Sequence, residues 1–126
     1  GAFVMGLGIT DTSPLDTTDG LFFIKSDGAA TMDFLIEKDN SATTNSSVAT
    51  VSDDTFLTAS FHYNPTGGSS GGGAFEIFID DSKVATETTL TNAPDDEELT
   101  ISFGIQNGAA AAKTMTIDYI FAAVER

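Results

Sequence analysis

Hydrophobic and polar side chains alternate along most of this chain with a period of two residues. The clearest case is LTISFGIQ, residues 99–106, in which Leu99, Ile101, Phe103 and Ile105 are separated by polar residues or glycine. Successive side chains of a β-strand point to opposite faces of the sheet, so this pattern predicts a strand with one buried face. No window has the apolar i, i+3, i+4, i+7 spacing of a capped helix. The pattern therefore predicts an all-β fold.

The same alternation predicts about eight or nine strands. They cover residues 2–9, 21–25, 31–39, 48–51, 55–65 and 75–80, the residues around Val84, and residues 99–106 and 114–125. Asp27-Gly28 and Asp81-Ser82 are predicted turns, NSATTNSS (40–47) a linker, and TGGSSGGG (66–73) a mobile hairpin tip. This number of strands requires two sheets packed face to face, so we predict a two-sheet antiparallel β-sandwich.

Length and charge limit the classes of function. A chain of 126 residues fits a single domain, residues 1–126, and its 19 acidic and 5 basic residues give a formal net charge of −14. This charge repels nucleic acid and anionic lipid, so neither is an expected partner. The chain has no cysteine, which leaves stability to packing. The first predicted strand begins directly after Gly1, with no residues that would start it. We therefore expect further residues, including the first strands of the sandwich, to precede Gly1.

Two pairs of carboxylates are candidates for glycosidase chemistry. Glu76 and Asp80 share a strand face, but four residues of ~3.3 Å each separate their backbones by about 13 Å, beyond the roughly 5–9.5 Å between catalytic carboxyl groups. Asp33 and Glu37 form the second pair, on the solvated face of one strand, where acidic residues are common. Neither pair is assigned a catalytic role, and we predict that the chain is not an enzyme.

Other chemistry-bearing residues are few. His62, the only histidine, lies on an outer strand face, without the Gly-x-Ser-x-Gly motif that marks a serine nucleophile. Loop calcium sites are conceivable, because oxygen ligands occur in three acidic groups: Asp11, Asp16 and Asp19; Asp80 and Asp81; and Asp95, Asp96, Glu97 and Glu98. None has the spacing of a calcium-binding loop, and the glycine-rich segment leads into a strand rather than a phosphate-binding helix. No cofactor or metal residue is therefore assigned.

Aromatic residues are candidates for binding sugars or proteins. The chain has no tryptophan, so Tyr63 and Tyr119 are the main candidates for stacking on sugar rings. Phe22, Phe56 and Phe78 lie opposite the main apolar stripe, where a second layer or a partner subunit would cover them.

Part of the sequence resembles a known family. SFHYNP…GGGAFEIFIDDSKVATET resembles the strand, turn and strand of concanavalin-A-like and laminin-G-like jelly rolls, with Asp81-Ser82 where Asp-Gly is more usual. LTISFGIQNG and KTMTIDYIFAAVER look like the end of such a domain, in which a long final strand returns through the sheet. FFIKSDGAATMDFLIEKD, followed by this order of elements, is similar to small concanavalin-like virion proteins of tailed bacteriophages.

The resemblance implies a non-enzymatic virion protein on the capsid surface. Such a capsid decoration or cement protein would bind the major capsid protein, with self-association into oligomers as a further expectation. The glucanase members of the family carry Glu-x-Asp-x-x-Glu, which this sequence lacks. The alternative that the family offers is a carbohydrate-binding, lectin-like module, whose glycan residues the sequence does not identify.

Overall fold

The computed structural model describes residues 1–9 and 13–124, with Pro14 described by its backbone alone. The strands are β1 (Ala2–Gly8), β2 (Gly20–Lys25), β3 (Thr31–Lys38), β4 (Ser41–Thr50), β5 (Ala59–Asn64), β6 (Ala74–Ile79), β7 (Ser82–Glu87) and β8 (Thr100–Gln106). One short 3-10 helix, Pro14–Asp16, lies between β1 and β2. Within the described residues there is no α-helix, as the alternation predicts.

Two antiparallel sheets form the fold, which confirms the predicted β-sandwich. The larger sheet has the strand order β4-β3-β2-β1-β8, and the smaller sheet has the order β5-β6-β7. All the pairings within both sheets are antiparallel. The edge strands are therefore β4 and β8 in the larger sheet and β5 and β7 in the smaller sheet, and no described strand pairs with the outer side of any of them.

Two-residue turns close two of the hairpins. Asp39 and Asn40 join β3 to β4 with φ values of 49° and 61°, and Asp80 and Asp81 join β6 to β7 with φ values of 48° and 63°. Two consecutive positive φ values are the mark of a type I′ turn, which matches the twist of the strands that it joins. The predicted turn at Asp81-Ser82 is thus displaced by one residue, because Ser82 already belongs to β7.

Strand β4 is where the sequence pattern misleads most. The predicted linker, residues 40–47, and the predicted short strand, residues 48–51, together contribute the ten-residue strand β4. Its pairing with β3 shifts register between Met32 and Phe34. At this irregularity Ser47 has a φ of 57°, and its N–H donates a 2.7 Å hydrogen bond to Asp33 Oδ1. An edge strand with mostly exposed side chains needs no apolar alternation, which explains why the sequence reads as a linker.

The hydrophobic core lies between β2 and β3 of the large sheet and the small sheet. Its buried members are Leu21, Phe23, Met32, Phe34, Ile36, Phe75 and Ile77. The ring of Phe61, on β5, lies 5.1 Å from that of Phe34 and 6.3 Å from that of Phe23, measured between centroids. Tilted aromatic pairs at these separations add to the hydrophobic gain of burial. The alternating apolar side chains of the strands predicted at 31–39, 55–65 and 75–80 therefore do face the core, except Tyr63, which is 46% exposed.

A smaller buried region lies on the opposite face of the large sheet. Val4 and Phe22 are both buried there. The main chain of Gly6 lies so close to Phe22 that a Cβ added at Gly6 would meet Phe22 Cα at 2.6 Å. The 3-10 helix contacts β1 and β8, and Thr17 beyond it is buried beside Gly8. Phe22 is therefore covered within its own chain and does not mark an interface.

The predicted closing strand, residues 114–125, is not formed. Residues 114–124 belong to no strand or helix, and Glu125 lies outside the described residues. Apart from half-buried Met115, the side chains of residues 114–124 are exposed. Alternation alone does not make a strand, because a strand also needs a neighbour with free backbone groups to pair with.

Candidate functional site

The first candidate pair of carboxylates is divided between an ion pair and a turn. Glu76 lies on β6, where its Oε1 is 3.2 Å from Lys83 Nζ and its Oε2 is 3.8 Å from Nδ1 of the exposed His62. Asp80 lies in the β6–β7 turn, and its Oδ1 accepts a 2.8 Å hydrogen bond from the Thr58 N–H. His62 and Glu76 are thus brought together, as cross-strand neighbours. Asp80 instead ties the turn to the start of β5.

The second pair is also divided. Asp33 accepts the hydrogen bond that fixes the irregularity in β4, as described above. Glu37 is half-buried near the other end of β3, and its pKa is raised by burial and then by the negative charges of Asp19 and Asp16. A carboxyl group with a raised pKa is a feature of some catalytic acids. Here the larger source of charge is structural, since Asp19 is only 6% exposed and accepts a hydrogen bond from the Asp39 N–H.

The acidic loops that the sequence offers as calcium sites do not bring their carboxylates together in the part of the chain that the structure describes. Asp11 lies outside the described residues, and Asp16 is exposed. Asp95 pairs with Lys38, whose hydrogen bond lowers the pKa of the Asp95 carboxyl group. Among the residues that the structure describes, no group of three or more acidic, histidine or cysteine side chains has a geometry that could hold a metal ion.

The glycine-rich hairpin tip forms a shallow cleft beside Tyr63. The cleft has a volume of ≈ 160 Å³ and is lined by Gly67, Gly68, Ser69, Ser70, Gly72, Gly73 and Thr88. Tyr63 is about half exposed, and its ring lies 5.1 Å from that of Phe75. The Tyr63 hydroxyl lies so close to Gly73 that a Cβ added there would meet it at 2.5 Å. Small polar groups beside a half-exposed aromatic ring could accommodate part of a sugar.

Among the described residues, most of the exposed large apolar side chains lie on β8 and in the segment that follows it. We call Ile101, Phe103 and Ile105 the β8 strip, and residues 114–124 the C-terminal arm. Phe103 is 51% exposed, while Tyr119 and Phe121 in the arm are 66% and 83% exposed. The full set of exposed large apolar side chains in the strip and arm is Ile101, Phe103, Ile105, Ile117, Tyr119, Ile120, Phe121 and Val124. Clusters of this kind on a protein surface are typical of interaction sites.

The β8 strip is exposed because the small sheet does not extend far enough to cover it. Phe103 pairs with Met5 on β1, which in turn pairs with Phe23 on β2, so all three side chains share the inner face of the large sheet. The small sheet covers only part of this face. Its strand β5 packs on β2 and β3 through Phe61, and β6 and β7 contact β4. The inner face at β8 therefore has no strand of the small sheet above it.

These features define the class of protein as an antiparallel β-sandwich with an incompletely covered inner face. Comparison with known proteins finds no matching family model, no matching curated protein and no matching solved structure. In the part of the chain that the structure describes, there is also no helix long and apolar enough to span a membrane.

Sequence reasoning identifies the strip as apolar but predicts that it is buried. Leu99 does pack against the core, whereas the three strip residues after it do not. Period-two alternation shows which face of a strand is apolar, but it does not show whether the opposite sheet is wide enough to cover that face. The apolar alternation in both β8 and the C-terminal arm is the sequence signal for this surface.

Proposed function

We propose that this chain is a non-enzymatic structural protein of a virion, which decorates the capsid surface of a tailed phage by binding the major capsid protein. Its fold would be a variant of the concanavalin-like jelly roll that the sequence resembles. The observation that carries the proposal is the exposed apolar surface of the β8 strip and the C-terminal arm. Proteins that act by assembling with others need such surfaces.

The roles of the polar side chains support the same proposal. Asp33, Asp80 and Asp19 each accept a hydrogen bond from the backbone of another segment. Glu76 and Asp95 each pair with a lysine. These contacts give the carboxylates structural partners in the strands and turns, and a sandwich with apolar side chains on its surface is suited to shape-complementary binding.

The charge of the chain favours a partner with a basic surface. A net charge of −14 attracts cationic surfaces, and salt weakens such attraction between exposed charges. Binding to the capsid should therefore combine apolar contacts with salt-sensitive pairing of charges, and it should weaken as the salt concentration rises.

The test is to purify particles from the source culture on a density gradient and to quantify peptides of this chain against those of the major capsid protein. A fixed stoichiometric ratio in intact particles is the expected result. Absence from the particles, with the protein free or associated with cells, would overturn the proposal.

A second experiment tests which surface binds. Particles stripped of this protein are incubated with the wild-type chain, with Phe103→Ser and with Phe56→Ser, and the bound copies are counted. Phe56 is 70% exposed and lies outside the strip and the arm, so it provides the matched control. Reduced occupancy of Phe103→Ser alone is expected, and unchanged occupancy of Phe103→Ser would remove the strip from the capsid contact.

A carbohydrate-binding module is the second candidate function, and the cleft beside Tyr63 favours it. A sugar that binds the native state raises the unfolding temperature, and the rise grows with the logarithm of the sugar concentration once the site is nearly saturated. Thermal unfolding of the wild-type chain and of Tyr63→Ala should be compared with a panel of oligosaccharides. A sugar-dependent rise that Tyr63→Ala abolishes would favour this function, whereas no rise with any sugar would count against it.

A further inference from the structure

The C-terminal arm and the β8 strip have complementary properties. The arm presents Ile117, Tyr119 and Phe121 at alternate positions, as a strand with an apolar face does. The strip is a row of three apolar side chains at alternate positions on β8, with the same repeat. Both are exposed at once in a single chain, so neither covers the other.

The position of β5 shows where a covering strand would fit. A strand added to the free edge of β8 would widen the large sheet but leave the inner face of the strip exposed. A strand added to the free edge of β5 would widen the small sheet, and from β5 this sheet would extend toward β1 and β8. Only the second position covers the strip and also satisfies the unpaired backbone groups of an edge strand.

We infer that the C-terminal arm of a second copy of this chain occupies this position, and that two copies exchange arms reciprocally. Each arm lies over the partner's β8 strip and pairs with the free edge of the partner's β5. A reciprocal exchange uses the same two surfaces twice, which is the arrangement of a closed two-fold dimer. Because this inference concerns the purified chain alone, it does not rest on the proposed capsid role.

The dimensions of the arm agree with this arrangement. Eleven extended residues, 114–124, span about 36 Å at ~3.3 Å per residue, whereas the seven residues of β8 span about 23 Å. The arm is thus long enough to cover the whole of β8.

The apolar area is also sufficient. Each copy contributes three aromatic rings that are at least half exposed, those of Phe103, Tyr119 and Phe121, and each such ring can bury up to about 150–250 Å². With the exposed aliphatic side chains on the same two faces, Ile101, Ile105 and Ile117, two exchanges approach the roughly 1,200–2,000 Å² of a stable interface.

The first test is sedimentation equilibrium of the full chain over a wide range of concentration. A monomer–dimer equilibrium is expected, and Phe103→Ser and Phe121→Ser should each raise the dimer dissociation constant roughly tenfold or more, since truncating a central aromatic anchor is costly. Phe56→Ser, outside both surfaces, should leave the dissociation constant unchanged. A chain that stays monomeric at all concentrations would overturn the inference.

The second test distinguishes exchange between copies from closure of an arm on its own chain. The chain has no cysteine, so Phe103→Cys and Tyr119→Cys can be prepared separately, mixed, and treated with a short flexible bis-maleimide. Exchange predicts cross-linked pairs that contain one chain of each kind, which Phe56→Cys mixed with Tyr119→Cys should not form. Cross-links confined to single chains of the double variant Phe103→Cys/Tyr119→Cys would show that the arm closes on its own chain.

The salt dependence separates this inference from the proposed function. Two copies with a charge of −14 each repel one another, so added salt should tighten the dimer by screening that repulsion. Binding to a basic capsid surface should change in the opposite direction. A dimer that salt weakens would be held by charge pairing, and that result would contradict an exchange driven by apolar contacts.

Discussion

The backbone N–H of Ser47 donates a 2.7 Å hydrogen bond to Oδ1 of Asp33 across the β3–β4 pair. The contact lies where the register between the two strands shifts, and Ser47 has the positive φ that lets β4 bend there. A residue that the sequence offers as a catalytic candidate thus fixes the shape of an edge strand.

Replacing Asp33 tests this role. Asp33→Ala removes the acceptor of the Ser47 N–H, and we expect the free energy of unfolding in urea to fall by about 1 kcal/mol, the typical net value of one hydrogen bond. Glu97→Ala removes a negative charge from an exposed loop and is the control. If both variants lose the same free energy of unfolding, the loss comes from removing a negative charge, and the hydrogen bond itself contributes nothing.

Because Asp81 lies in the type I′ turn and Ser82 does not, we expect glycine to have opposite effects on stability at these two neighbouring positions. Asp81→Gly relieves a positive φ at a residue with a side chain, and we expect it to raise the free energy of unfolding by about 0.5–1 kcal/mol, because Gly is strongly preferred there. Ser82→Gly places glycine at the first residue of β7 and should lower it by up to about 0.5–1 kcal/mol. Thermal unfolding of the two variants checks the pair. If Ser82→Gly were instead the more stable of the two variants, the turn would lie at Asp81-Ser82, as the sequence predicts.

Glu37 should make stability depend on pH. Burial, followed by the charges of Asp19 and Asp16, raises its pKa in the folded protein above the ordinary value of 4.5, so the folded state binds this proton more tightly than the unfolded state. The contribution of Glu37 to stability therefore decreases as the pH rises from about 4.5 through the folded-state pKa.

Glu37→Gln should remove this dependence. Relative to wild type, the variant is expected to gain stability as the pH rises from 4 to 7, measured as the difference between their unfolding free energies in urea. Glu97→Gln, on an exposed loop, controls for general charge repulsion. A difference for Glu37→Gln that does not change with pH would show that Glu37 titrates alike in both states.

Gly6 should tolerate no side chain. A Cβ there would meet the main chain at Phe22 and the carbonyl oxygen of Leu21, so Gly6→Ala forces β1 and β2 apart and should cost about 1–3 kcal/mol or more. Gly72→Ala is the matched control, because a Cβ at Gly72 meets nothing within 4 Å. Chemical unfolding of both variants measures the difference, and a stable Gly6→Ala protein would be inconsistent with this close approach.

The sequence predicts the fold class because apolar and polar side chains must alternate along the strands that form the core. Phe34 and Ile77 occupy positions where a shift of one residue would turn an apolar side chain to solvent, so their pattern is unambiguous. Strand β4 lacks this constraint, since most of its side chains are exposed and its pairing depends on the turn at Asp39 and Asn40.

The candidate site could be predicted only in part. The apolar character of Phe103 and Tyr119 is visible in the alternation, but their exposure depends on how many strands the opposite sheet contributes. Likewise, the spacing of Glu76 and Asp80 is visible in the sequence, whereas the partners of these carboxylates, Lys83 and the Thr58 N–H, depend on strand register and the position of a turn.

The hairpin tip between β5 and β6 is a position at which additional residues can be inserted into the chain. Gly68, Gly71 and Gly73 have positive φ values, and a Cβ at Gly71 or Gly72 meets nothing within 4 Å. The pair of β5 and β6 residues nearest the tip is Asn64 and Ala74. Residues added between Ser69 and Ser70 would therefore leave the register of both strands unchanged. A foreign peptide grafted there would be displayed on the outside of the sandwich, and in many copies wherever the protein itself is arrayed.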